Sequence, residues 1–559
     1  MNIFPRLRDR ATSVSGAALA VALAGVAAAG GACSPRREAI AIEPPGTRPF
    51  SFPYVDSAVP GAPAVFNGPA GTAAGAPNIA YPLDGAMHPL NLGAVTFQWT
   101  RGDAASQVFR IRLDDGASQY DFYVPCCAYT LPAAGWLAVA SAHRDGQLTA
   151  TIAGTDGLGG PVYQSNAITV RFSPEPVLGG LYYWTAADIG GTTYRLPFGA
   201  ATATPFIVPK SPTDPLPCGG CHSVSRDGAM ISFAATPDQG SSAATLSVAA
   251  THTPEQASIS PIGAMAPKAR FTALDSDGSR VLITTFGEVQ VFETATGKAV
   301  DIGAVAGLLP SGKLVTHPEW SPGGHRVAFT LYSGMLPDGS GGMRSVADTR
   351  PEDGEIATLE LDPQTGKATA LRRIVVTSAA DGLAHYYPTW SPDEHWLVIV
   401  GVPNGTSAYN ASKARLRLAS ADADLQTCPG PTCFDLARAS QGTDVSSTWP
   451  KLSPNAQSDG RILFVTFSSK MDYGTYLKNT GASGAQRAQL WMAAIDLGLA
   501  RAGADPSLAP IWLPFQNFTQ TNHLAFWTTV VTCTSTGSPF DSCGSDQICD
   551  NGVCRPLPP

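Results

Sequence analysis

Two cysteines and a histidine stand at the spacing Cys218-Gly-Gly-Cys221-His222, in a stretch that runs on through Ser225-Arg-Asp-Gly228 into an apolar strand. Three chemistries suit that set. Two thiols can add across the vinyl groups of a haem while the adjacent imidazole meets its iron, and Cys-x-x-Cys-His is the short spacing that supplies all three. The same thiols can close as a Cys218–Cys221 disulfide with His222 a bystander, the general fate of cysteine pairs outside the cytosol. Zinc could take Cys218, Cys221, His222 and a fourth ligand, but the chain has no second Cys-x-x-Cys to complete a standard structural site. By the ordinary rarity of Cys and His, a chain of this length carries the pentad by chance less than roughly once in a hundred cases. Haem c is the first expectation, the disulfide the second and zinc the third.

The compartment bears on that choice. Arg6, Arg8 and Arg10 precede an apolar run over residues 17–29 and a small-residue stretch ending at Gly31-Ala32-Cys33. That is the three-part pattern of an export signal over 1–33, too short and too rich in Ala and Gly for a membrane span. Gly30-Gly31-Ala32-Cys33 resembles a bacterial lipobox, with Gly30 where a larger aliphatic residue is usual. Both lipidation of Cys33 and plain cleavage after Ala32 are therefore open. Setting Cys33 aside leaves ten of the eleven cysteines, an even number whose default in an oxidising compartment is disulfide. Cys428 and Cys433 bracket Pro-Gly-Pro-Thr and are expected to close a loop. Cys533, Cys543, Cys549 and Cys554 read as a stapled tail over 533–559, because so short a segment buries too little apolar surface to fold unaided. For the vicinal pair Cys126-Cys127, separate bridges or free thiols are expected ahead of a mutual bond.

The elements that must position these groups read as strands. The 559 residues are 44% hydrophobic and only 14% charged, with 57 Gly and 47 Pro, which suits many short strands and tight turns in more than one domain. A net charge of −8 and the lack of a Lys/Arg run beyond the N-terminus exclude a nucleic-acid face. Residues 34–74, rich in Pro, Gly and Ala, read as a disordered tether. From 75 to 175 alternating strands such as "AVTFQWT" and "VFRIRLDDG" predict a small β-sandwich. With Trp99 it resembles a fibronectin type III or immunoglobulin-like domain, which implies a spacer or docking role.

Residues 178–532 contain an internal repeat: "CHSVSRDGAMISF", "FTALDSDGSRVLIT", "HPEWSPGGHRVAFT", "YPTWSPDEHWLVIV" and "WPKLSPNAQSDGRILFV". Each joins an approach strand to an apolar strand through a turn whose Pro presets φ and whose Gly accepts positive φ. These Ser-Pro-Asp-Gly units resemble the blades of six-bladed TolB-type β-propellers, with a sixth, degenerate copy at "TNHLAFWTTVVT". The strands "GGLYYWTAA" and "TTYRLPFG" would complete that last blade. The fold class is therefore all-β, a propeller preceded by a small sandwich.

With Ser225, Ser321, Ser391 and Ser453 in register, Cys221 shares a column with His317, Tyr387 and Trp449, and His222 one with Pro318, Pro388 and Pro450. In a propeller the starts of these innermost strands meet around one mouth of the channel, so the pentad is expected at the axis. His222 would then be the proximal haem ligand. His317, His385 and His523 stand near equivalent strand starts, and His523 or His317 is expected as distal ligand before any methionine. His325 and His395 follow turns and should face solvent. The Trp residues are expected to pack between blades, with the role of Tyr386 open.

Two functions follow. One is an exported propeller with a covalent haem, engaged in electron transfer or haem-dependent redox chemistry with an envelope or redox partner. The other is a non-catalytic scaffold binding a protein or glycan partner in the cell envelope, as the TolB resemblance implies, with Cys218–Cys221 a disulfide. A hydrolase is disfavoured by the lack of a Gly-x-Ser-x-Gly elbow. Asp275-Ser-Asp277-Gly278 resembles part of a calcium loop but lies in the turn register and lacks the distal Glu.

Overall fold

The computed structural model describes residues 50–186, 191–200, 202–207, 222–235, 245–251, 260–261, 269–377, 381–408, 411–441, 446–481, 483–530, 547–550 and 553–556. Cys33, Cys218, Cys221, Cys533 and Cys543 lie outside them.

The repeat units fold as a β-propeller. Among the described residues there are six four-stranded antiparallel sheets with strands in meander order. Their first strands are Ser223–Val224, Phe271–Leu274, Lys313–Trp320, Leu383–Trp390, Ser447–Leu452 and Thr521–Thr528. Each first strand touches the next, and Thr521–Thr528 touches Ser223–Val224, so these strands form a closed ring. The closure joins distant parts of the chain. Thr521–Thr528 pairs with Gly180–Ala186, which leads outward to Thr192–Pro197 and Thr204–Ile207. The strands expected to complete the last sheet do so.

The turn chemistry is legible residue by residue. Ser225, Ser321 and Ser391 each donate their backbone N–H across the turn, to Met230, Arg326 and Trp396, at 2.9 Å in every case. Gly228, Gly278 and Gly324 hold the positive-φ position at 75°, 70° and 72°, which L side chains adopt only at a cost. In the fourth sheet Glu394 occupies that position at φ 61°, and Arg326 of the preceding unit holds its carboxylate at 2.8 Å.

Tryptophans staple neighbouring sheets. The indole N–H groups of Trp320, Trp390 and Trp527 donate at 3.1 Å to the carbonyls of Ala273, Glu319 and Lys451, each on the preceding first strand. Arg280 lies over the Trp320 ring at 4.8 Å and Arg326 over Trp390 at 4.7 Å, adding a cation–π contact at each junction.

The N-terminal part departs from the sandwich expectation in three ways. Residues 50–74, read as tether, are bound to it: Tyr54–Val55 pairs with Gln119–Pro125 and Ala70 bridges Val162. That first pairing and the pairing of Ile168–Phe172 with Ala86–His88 are parallel, unlike the wholly antiparallel sheets of an immunoglobulin-like domain. A helix, Ala133–Ala142, buries Trp136 and Val139. This part docks on the fifth sheet. Tyr473 stacks on Trp512 at 4.0 Å, the Trp512 N–H donates to the Tyr81 hydroxyl at 3.0 Å, and the Thr475 N–H donates to Gln98 Oε1 at 2.8 Å.

Cys428 and Cys433 are bridged as expected. Cys126 and Cys127 are bonded to each other, against expectation. The chain segment holds the two sulfurs side by side, and Arg101 donates to both. In the tail, Gln547–Asp550 and Val553–Pro556 form a hairpin with Cys549 opposite Cys554 in register.

Candidate functional site

The site lies on the propeller axis and is built by a repeated backbone device. In the third, fourth and fifth sheets the first strand carries a bulge, where His317-Pro318, Tyr387-Pro388 and Trp449-Pro450 stand opposite one residue of the second strand. Proline is tolerated in a strand at an edge or a bulge, since it has no N–H to give the ladder. The first residue of each bulge is left-handed, at φ 49°, 52° and 55°. Leu524 repeats this at φ 59° beside the register shift between Thr521–Thr528 and Gly180–Ala186.

The bulges bring one cavity to the axis, with His222, Phe271, His317, Tyr387, Trp449 and Leu524 supplied by the six first strands or the residue just before them. Its space, counted for the centre of a water molecule, is about 40 Å³, room for roughly three waters. Tyr387 lies 4.2 Å from the His317 ring and 4.0 Å from Trp449, and Phe271 lies 4.5 Å from His317. A second cavity of about 60 Å³ follows along the strands, bordered by Glu319, Thr389, Lys451 and Arg226. Lys451 and Phe526 border both cavities, and Lys451 is ion-paired to Glu319. A charged pair therefore borders the second cavity, with Lys451 reaching the first as well.

His317 is held neutral: burial, reinforced by the nearby Lys451 charge, pushes its imidazole well below the ordinary value. Its Nδ1 faces the Thr330 hydroxyl at 3.3 Å, and its buried Nε2 has no hydrogen-bond partner among the described residues.

The structure sorts the candidate ligands. His222 and His317 border the same cavity. His385 does not: it lies within the fourth sheet, where its Nε2 faces Arg417 Nη1 at 2.7 Å. Burial and the Arg417 charge hold His385 down to about 3. His523 does not line the cavity either, its ring stacking on Trp184 at 6.2 Å. The adjacent Leu524 takes the axial position. His325 and His395 are exposed, as turn positions should be. Tyr386 is buried and meets the Gly354 N–H at 3.2 Å, whereas Trp449, expected between blades, is part of the axial ring. The αL-Pro bulges are what sequence reading missed; the signal was the recurrence of Pro318, Pro388 and Pro450 behind large side chains.

The fit of a haem divides. Two imidazoles around one apolar cavity suit low-spin iron. The space does not: His222 is 2% exposed, its Nε2 sits 3.4 Å from the Tyr182 carbonyl, and its ring packs on Phe526 at 5.2 Å. With the rings as they stand, a cavity for a few waters is too small for a tetrapyrrole between His222 and His317. Among the described residues, no group of three or more His, Cys, Asp or Glu is placed to hold a metal ion.

No family model and no curated protein matches the chain. Solved structures similar to it include a puromycin-hydrolysing peptidase of Mycobacterium tuberculosis, at 14% identity and a TM-score of 0.31, covering 57% of this chain and 44% of that one. Prolyl oligopeptidase B from Galerina marginata gives 12% and 0.30, with coverages of 60% and 49%. A 6-phosphogluconolactonase-like protein from Bacteroides fragilis gives 11% and 0.25, with coverages of 60% and 98%. The chain thus spans about half or less of the two peptidases. At these scores the likenesses decide nothing about function, and the fold rests on the strand pairing.

Proposed function

We propose that this chain is an exported, non-catalytic six-bladed propeller of TolB-like type that binds a protein or glycan partner of the cell envelope through its axial channel. The observation that carries the reading is the convergence on one cavity of a side chain from each of the six first strands or the residue just before it, four of them in left-handed conformation. Bulky residues with positive φ are sparsely populated, and such residues concentrate at ligand clamps. Tyr387 and Trp449, packed ring on ring at a 30° tilt, offer aromatic area for an inserted apolar side chain or a sugar face. The Arg-rich and apolar N-terminus supports export, with Cys33 as lipid attachment or cleavage point. Cys218–Cys221 is then a disulfide.

The test is to titrate peptide and glycan-fragment panels into the full chain, following tryptophan fluorescence. Saturable quenching that disappears in Trp449→Phe supports the reading. No saturable change with any member of either panel overturns it.

A second reading has its own support. His222, the last residue of the Cys-x-x-Cys-His motif, shares a cavity with His317, whose buried Nε2 lacks a partner among the described residues. On this reading Cys218 and Cys221 would be the thiols that hold haem c, His222 and His317 the imidazoles nearest to it, and the chemistry the group would supply is electron transfer. The cavity would have to open to admit it. Protein made with haem-c maturation would then be red, with a haem adduct on the 218–221 peptide. A colourless product under those conditions removes this reading and leaves the scaffold.

A further inference from the structure

Cys126 and Cys127 lie far from the axial channel in sequence and have no part in it. A bridge between adjacent residues closes only an eight-membered ring. Disulfide stabilisation grows with the length of chain the bridge closes, so this one contributes little as a staple. The Cys428–Cys433 bridge is the contrast: it closes a loop, and its cysteines are 2% and 0% exposed. Cys126 and Cys127 are only half-buried, between the strands Gln119–Pro125 and Ala128–Thr130. Part of their surface is open to solvent.

A cation is already in place beside them. Arg101 Nε donates to Cys126 Sγ at 2.9 Å and lies 3.4 Å from Cys127 Sγ. Its Nη1 also donates to the Ala104 carbonyl at 3.3 Å, so the same guanidinium bridges the sulfurs and the neighbouring loop. Thiol–disulfide exchange proceeds faster when the leaving sulfur is a stabilised thiolate, and a neighbouring arginine provides that stabilisation.

We propose that Cys126–Cys127 is a thiol-exchange site, with Cys127 as the sulfur attacked and Cys126 as the leaving thiolate held by Arg101. An incoming thiolate forms a bond to Cys127 Sγ as the Cys126–Cys127 bond breaks, and the electron pair of the broken bond goes to Cys126. With a monothiol the product is a mixed disulfide on Cys127 and a thiolate on Cys126. With a dithiol, its second thiolate attacks the mixed disulfide and leaves as its own disulfide. Both cysteines are then reduced, by two electrons from the dithiol.

The test uses the full chain under native conditions. Dithiothreitol is added, thiols are trapped with a maleimide at intervals, and labelled peptides are read by mass. Cys126 and Cys127 are expected to label well before Cys428 and Cys433. Glutathione is expected to give an adduct that fragmentation assigns to Cys127. Arg101→Ala is expected to slow reduction about tenfold, the equivalent of about 1.4 kcal/mol, and Arg101→Lys to restore part of the rate. Free thiols at 126 and 127 in the oxidised protein, reduction no faster than at Cys428–Cys433, or an Arg101→Ala rate equal to wild type overturns the proposal. The comparison of the two bridges in the unmodified chain stands even if Arg101→Ala does not fold.

Discussion

His317 and Tyr387 lie ring against ring on the propeller axis, 4.2 Å between centroids, each the left-handed first residue of a bulge at φ 49° and 52°. Trp449 continues the cluster, its ring 4.0 Å from Tyr387. Three successive sheets thus spend an unfavourable backbone conformation, about 1–3 kcal/mol per residue, to aim a ring inward. Aromatic contacts offset part of that cost.

The first prediction follows from that backbone. Ordinarily Gly is worse than Ala in a strand, by loss of side chain and by entropy. At position 387 the order should reverse, because Gly takes positive φ freely and Ala does not. Tyr387→Gly is expected to be more stable than Tyr387→Ala by about 1 kcal/mol, measured by urea unfolding, though both lose the ring. Ala at or above Gly would mean that the left-handed bulge is not what the chain adopts in solution.

The sheet junctions make a second test. Trp390 donates to the Glu319 carbonyl at 3.1 Å and lies under Arg326 at 4.7 Å. Trp390→Phe keeps an aromatic ring but leaves that carbonyl without its indole donor, at an expected cost of about 1–3 kcal/mol. A drop in the urea midpoint with an unchanged slope is the predicted result; no drop would show that the junction is held by ring packing alone.

Arg417 yields a third. Its side chain is fully buried, paired to Asp381 and Asp435 at 2.7 Å each, with His385 Nε2 at 2.7 Å from Nη1. Removing the cation strands the Asp381 carboxylate and leaves Asp435 the longer Arg415 pair at 3.8 Å, so Arg417→Ala is expected to cost about 3–5 kcal/mol. Adding Asp435→Asn should recover part of that loss. Thermal unfolding of the single and double variants decides, and equal stability of the two would show that the pair carries no coupling.

These residues also mark how far the sequence could be read. The Ser-Pro-Asp-Gly turns announce themselves because Pro and Gly each constrain φ locally, so the sheets and the return of the C-terminal strand to residues 180–186 were legible. The shared cavity of His222 and His317 followed from the repeat register. What register alone does not reveal is which way a side chain turns within a bulged strand. His385 and His523 share the neighbourhood of His317, yet one is drawn to Arg417, 32 residues on in a different strand, and the other onto Trp184 in the strand Gly180–Ala186. Such partners are tertiary, and no local pattern contains them. The Cys126–Cys127 bond was missed for a related reason: the parity of the cysteines permits many pairings, and only the fold selects one.

The last prediction concerns acid. His88 is buried at 6% exposure against Trp136, ring centroids 5.3 Å apart, and its Nε2 has no hydrogen-bond partner among the described residues. Burial holds its imidazole down to about 3, against an ordinary 6.5. The folded form therefore stays neutral where the unfolded chain takes up a proton. The stability this neutral group permits is present above about pH 6.5 and is lost as pH falls toward 3, with a slope of about 1.4 kcal/mol per pH unit. Between pH 7 and pH 5 the wild type is expected to lose roughly 2 kcal/mol more than His88→Phe, which has nothing to titrate at that position. Urea unfolding at the two pH values measures the difference. Parallel losses in the two proteins would mean that His88 protonates in the folded state, and so that water reaches it beneath the helix Ala133–Ala142.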